Sequence, residues 1–128
     1  MNLKQSGKLK MGPLWTFEKA FGKSKDSSPT GFVIKNTRWF KRLFEDPAFV
    51  EKVKERFAYF YRHQSDIVNE INANGAYLEY AAQENNNKWG VFDSYKKTGL
   101  DSRALYLNEV QSMKEWLSRR MEWLNKEL

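Results

Sequence analysis

Near the end of the chain, Arg119 and Arg120 lie between Trp116 and Trp123. A guanidinium can stack on an indole face or meet a carboxylate in a planar fork. Either use also serves a fold, and a structural role is the simpler reading of both arginines. His63 is the only histidine. With no second histidine and no cysteine beside it, it reads as a helix-surface or boundary residue, not as a ligand or base. Ser24, Ser27 and Ser28 fall in the stretch Lys23 to Gly31 with no partner base, so they read as linker. They are open to phosphorylation as much as any serine of such a stretch.

Phosphoryl transfer needs a phosphate cradle, a metal carboxylate and a residue that orients the nucleophile. Gly7, Gly12 and Gly22 are too far apart to make a glycine-rich loop of kinase or Walker type. Basic surface interleaved with aromatics is how single strands are bound. Here the aromatics fall on helical stripes that are expected to be buried, which disfavours nucleic acid as a partner.

These residues must be positioned by a chain of 128 residues, enough for one domain. Scaling with mass allows roughly two thirds of the unfolded surface to be buried. The 5 Trp, 6 Tyr and 9 Phe predict an aromatic core in spite of the polar composition. There is no cysteine, which excludes disulfides and thiolate metal sites. No apolar run approaches the length of a membrane span, and Met1 to Met11 lacks the apolar stretch of a secretory signal.

The net charge of +6 is unevenly spread. Residues 1–42 carry ten Lys/Arg against Glu18 and Asp26, or +8, while the remainder carries −2. A basic front suits phosphate, nucleic acid or an acidic partner, or it is simply a solvated arm. Within it, Lys8 to Met11 and Leu14 to Phe17 flank a Gly12-Pro13 turn and predict a short hairpin. Lys23 to Gly31 reads as a mobile loop, and Phe32-Val33-Ile34 as an apolar anchor.

From Asn36 the chain reads as helix. Asn36 or Thr37 caps a short helix carrying Trp39, Phe40, Leu43 and Phe44. Asp46 is an N-cap and Pro47 the first residue of a helix to about Arg62, with Val50, Val53, Phe57 and Tyr61 on one stripe. Ser65 is the next cap. Ile67, Ile71, Leu78, Ala82, Asn85 and Trp89 stay in phase across Asn74-Gly75, with Asn74 on the same stripe. One helix is therefore predicted from about Asp66 to Lys88, although Asn-Gly is normally a stop. A mid-helix glycine costs only about 1 kcal/mol, which packing can offset. After a linker from Gly90 to Gly99, Asp101 or Ser102 caps a last helix whose stripe is Tyr106, Val110, Met113, Leu117, Met121 and Leu124.

Four stretches in this order resemble the C-terminal part of the spore coat protein H (CotH) kinase family. Lys8 to Gly22 is similar to the family segment that passes through a Gly-Pro turn into Trp-Asp-Phe-Asp and ends in Phe-Gly. Trp39 to Phe49 carries the Leu-Phe-Glu-Asp-Pro-x-Phe run. Ile71 to Trp89 is similar to the family's long helix ending in tryptophan. Glu109 to Leu124 is similar to its closing helix, with Trp-Leu, Arg and Trp-Leu positions.

The resemblance implies a reduced, kinase-like protein kinase fold that uses ATP and a divalent metal. It also implies that the nucleotide-binding lysine and the catalytic aspartate precede these segments and are absent here. Glu18 stands at the second aspartate of the metal motif and is the one metal-ligand candidate, while Thr16 replaces the first. Threonine offers a neutral hydroxyl, and glutamate moves its charge one methylene further out, where a hard cation wants tightly placed carboxylates.

The expected architecture is mainly α, an antiparallel bundle of three long helices and one short one (36–128) behind a basic irregular front (1–35). The expected function is the helical part of a CotH-like kinase, a scaffold or substrate-docking body not catalytically competent alone. Its partners would be an N-terminal kinase-like portion or a protein substrate, and it would bind no cofactor by itself. A small basic helical module binding nucleic acid or an acidic protein is the alternative.

Overall fold

Asp46 and Pro47 begin the first long helix of the computed structural model, which describes residues 13, 20–22, 27–92 and 99–128. Asp46 stays extended, and its Oδ1 accepts from the Ala48 backbone N–H at 2.9 Å. Proline occupies the first helical position, where a missing N–H costs nothing. Before it lie a single 3-10 turn, Val33–Asn36, and a short helix α1, Arg38–Leu43. After it come α2, Pro47–Arg62, then α3, Gln64–Trp89, and α4, Ser102–Glu127. The described part is thus mainly helical, as the periodicity predicts, and contains no strand. The expected hairpin, at Lys8 to Met11 and Leu14 to Phe17, lies outside the described residues.

Thr37 sits at the N-cap position of α1 without capping it. Its hydroxyl donates instead to the Ile34 carbonyl at 2.8 Å, beside its backbone N–H, which closes the 3-10 turn on the same oxygen. Of the expected anchor only Phe32 is half-buried, because a 3-10 turn spreads successive side chains around its axis. Val33 and Ile34 point outward. Phe32 meets Phe44 edge-on at 5.4 Å, and Phe44 meets Phe49 the same way, so three rings tie the 3-10 turn to α2.

One residue, His63, joins α2 to α3. Its backbone N–H reaches the Tyr59 and Phe60 carbonyls, and its own carbonyl accepts from Asp66. The turn is therefore complete before Ser65, which lies inside α3 and caps nothing. The His63 ring stacks on Tyr59 at 4.2 Å, with Nδ1 at 2.8 Å from the Tyr59 carbonyl. That placement is at a helix boundary, and the nitrogen facing the carbonyl carries the proton.

α3 runs unbroken through Asn74-Gly75 and stops only where Gly90 turns left-handed (φ 59°) and its N–H closes on the Asn86 carbonyl. Asp101 caps α4, its Oδ1 accepting from Ala104 N–H at 2.7 Å. Asp101→Ala is expected to cost about 1 kcal/mol and Asp101→Asn much less, measured by urea denaturation.

Residues that rise in number along α3 meet residues that fall along α4. Asn72 pairs with Lys114, Gly75 with Val110 and Tyr106, Glu79 with Arg103, and Gln83 with Ser102. The two 26-residue helices are therefore antiparallel, and α2 packs against the pair over a smaller area. At Gly75 they approach so closely that an added Cβ would lie 3.1 Å from Val110 Cγ1. Tyr106 O–H donates to the Gly75 carbonyl at 2.8 Å across the same contact.

The buried apolar side chains among the described residues are Leu105, Leu117 and Met121, all on α4. No aromatic side chain among the described residues is fully buried. Trp39, Tyr77, Tyr80 and Trp89 are each more than two thirds exposed. An antiparallel pair buries one stripe per helix. On α3 that stripe runs through Ile71, Gly75 and Glu79, which leaves Trp89 of the predicted stripe outside.

Candidate functional site

α4 carries Trp116 and Arg120 one turn apart, so both project from the same face. Trp116 Nε1 donates to the Ser27 carbonyl at 2.7 Å. Arg120 Nη1 donates to the carbonyls of Pro29, at 3.2 Å, and Gly31. Two side chains of one helix thus hold the segment 27–31 by its backbone. The Phe21 ring rests against Trp116 at 5.3 Å, tilted by 58°. Gly22, with φ +81°, passes so near the indole that a Cβ would lie 3.1 Å from Trp116 Cδ1. Phe21 itself has φ 56°. For a residue with a Cβ that conformation costs about 1–2 kcal/mol, offset here by the ring contact.

Arg120 is half-buried, and removal from water lowers its pKa below the ordinary arginine value. The guanidinium also lies over the Trp123 ring, 5.3 Å from its centroid. Arg119 is exposed, and its Nε reaches back to the Glu115 carbonyl at 3.4 Å within its own helix. The two neighbouring arginines therefore differ. Arg120 is built into the contact with the front, and Arg119 faces solvent. Between 27–34 and α4 lies a pocket of about 240 Å³ lined by Ser28, Thr30, Trp116 and Arg120. The loop expected to be mobile is, over residues 27–31, fastened to α4.

A second concavity of about 470 Å³ follows the α3–α4 seam, walled by Ile67, Ile71, Leu78, Val110 and Met113. Glu70 and Asn74 stand at its edge, the Asn74 amide donating to Glu70 Oε1 at 2.9 Å. Aliphatic walls suit an apolar side chain of another molecule. They do not suit a magnesium nucleotide, whose phosphates the edge carboxylate would repel.

Thr16 and Glu18, the positions of the resembled metal motif, lie outside the described residues. Among the described residues no three His, Cys, Asp or Glu side chains gather as a metal site, and no helix is long and apolar enough to cross a membrane. The sequence reading missed the contact between Trp116, Arg120 and the segment 27–31. Its acceptors are backbone carbonyls, about ninety residues away in the chain, and no side-chain pattern marks them.

The sequence model of one known family, described as CotH kinase protein, matches residues 2–124. No curated protein and no solved structure matches the chain.

Proposed function

We propose, because this chain belongs to the CotH kinase family, that its helices form the supporting body of a kinase-like domain and not a complete catalytic unit. The family match over residues 2–124 carries this reading. The attachment of residues 20–22 and 27–31 to α4 supports it. Residues 20–22 follow the positions of the resembled metal motif closely and 27–31 lie a few residues further on, so Trp116 and Arg120 would hold that side of a kinase-like domain against the helical pair. The apolar seam between α3 and α4 offers a surface on which a protein substrate could dock. The apolar seam has no phosphate donors, and no step of phosphoryl transfer is assigned to the described residues.

Isothermal titration of the 128-residue chain with Mg-ATP tests this. The expected outcome is no heat beyond dilution, and no phosphate transfer to a generic protein acceptor. Saturable binding in the micromolar range would place a nucleotide site in this chain and overturn the reading.

A further inference from the structure

Ser28 is exposed and lies between the two points at which α4 grips the front, Ser27 and Pro29. Its Oγ accepts from the Thr30 backbone N–H at 3.2 Å and lies 2.9 Å from the Thr30 hydroxyl. Ser28, Thr30 and Arg120 line the same pocket. Arg120 is the one charged side chain lining that pocket among the described residues. Both of its bonds to the segment leave from Nη1, so Nε and Nη2 have no acceptor among the described residues, and no described carboxylate pairs with it. A half-buried cation whose bonds go only to neutral carbonyls is the partner that an added oxyanion would find.

We propose that Ser28 is a phosphorylation site whose phosphate is received by Thr30 and Arg120. The modifying reagents are a proline-directed serine/threonine kinase, suited to the sequence Ser28-Pro29, and a nucleoside triphosphate. Ser28 Oγ forms a bond to the γ-phosphorus, the bond from that phosphorus to the β,γ-bridging oxygen breaks, and the nucleoside diphosphate leaves. The hydroxyl proton passes to the base of the modifying kinase. The product brings close to two negative charges and three strong acceptor oxygens. Thr30 N–H already donates to the Ser28 oxygen and the Thr30 hydroxyl lies 2.9 Å from it, while the Arg120 guanidinium nitrogens that bond nothing among the described residues share its pocket. The phosphate would add an ionic tie to a contact now made by neutral acceptors, and so fasten the front to α4 more firmly. This inference is independent of whether the chain binds nucleotide.

The test treats the folded 128-residue chain with a proline-directed kinase and ATP, maps the product by mass spectrometry, and titrates it by ³¹P NMR. Phosphate is expected on Ser28. Its second pKa, about 6 in a free chain, is expected at least about half a unit lower in the native protein than in the same protein in urea, roughly threefold in the ionisation constant. Arg120→Gln is expected to abolish the difference, and Arg120→Lys to keep part of it. Failure to modify Ser28, equal pKa values in the native and urea-unfolded protein, or an unchanged shift in folded R120Q would each overturn the proposal.

Discussion

Gly75→Leu is expected to lower the unfolding free energy by about 3 kcal/mol, measured by urea denaturation followed by circular dichroism. At this point α3 and α4 are separated by a glycine hydrogen on one side and Val110 on the other. A single Cβ would already stand 3.1 and 3.3 Å from the two Val110 methyl groups. A leucine has no room there and must push the helices apart. That would also lengthen the bond from Tyr106 O–H to the Gly75 carbonyl.

Gly75→Ala separates the two physical terms. Alanine gains about 1 kcal/mol of helix propensity and loses a comparable amount to crowding, so its net effect is expected to be small. Adding Val110→Ala to Gly75→Leu should recover a large part of the loss, because the neighbours are in contact and their effects do not add. An equal loss in Gly75→Leu with and without Val110→Ala would show that the close approach is not what the leucine disturbs.

Trp116→Ala is expected to cost about 2–3 kcal/mol, less than full burial would give because the indole is only half-buried. The change removes the Phe21 ring contact, the surface against Gly22 and the donor to the Ser27 carbonyl together. Segment 27–31 should then become a site of limited proteolysis while α3 and α4 stay protected. Trp116→Phe keeps most of the ring and loses only the N–H, at about 1 kcal/mol. Should the alanine variant resist protease at 27–31 as well as the parent does, Arg120 alone would be holding the segment.

Local chemistry announced the ends of the helices. Asp46 before Pro47, and Asp101 before the last apolar stripe, start their helices by accepting from the backbone two and three residues on. The helix across Gly75 followed from phase, since Ile67, Ile71 and Ala82 repeat regardless of the intervening Asn-Gly. What phase could not supply was the exact seam. The predicted stripe included Trp89, whereas the paired helix turns Gly75, Glu79 and Gln83 inward and leaves Trp89 out. Choosing between those faces depends on the partner helix. Polar matches such as Gln83 with Ser102 and Glu79 with Arg103 accompany the apolar seam, and no pattern in α3 alone marks them.

The same limit applies to the front. Arg119 and Arg120 between Trp116 and Trp123 were visible as chemically able side chains, but the partners of Trp116 and Arg120 are carbonyl oxygens, which every residue possesses. Ser65 illustrates the opposite error. It has the right type for a cap, yet His63 had already turned the chain. Aromatic content predicted burial because rings are large and apolar. Only a third layer could cover the outward faces of α3, and Tyr77 and Tyr80 have none among the described residues.

α4 is fastened near its beginning to α3, through Ser102 and Arg103, and, counted from Ser102, fourteen to eighteen residues later to the front, through Trp116 and Arg120. At 1.5 Å per residue these attachments stand about 21–27 Å apart. Backbone hydrogen bonds set that span, so a substitution at either attachment frees one end without altering the length between them. α4 is in this sense a ruler: its length sets how far residues 20–22 and 27–31 stand from its own first turn.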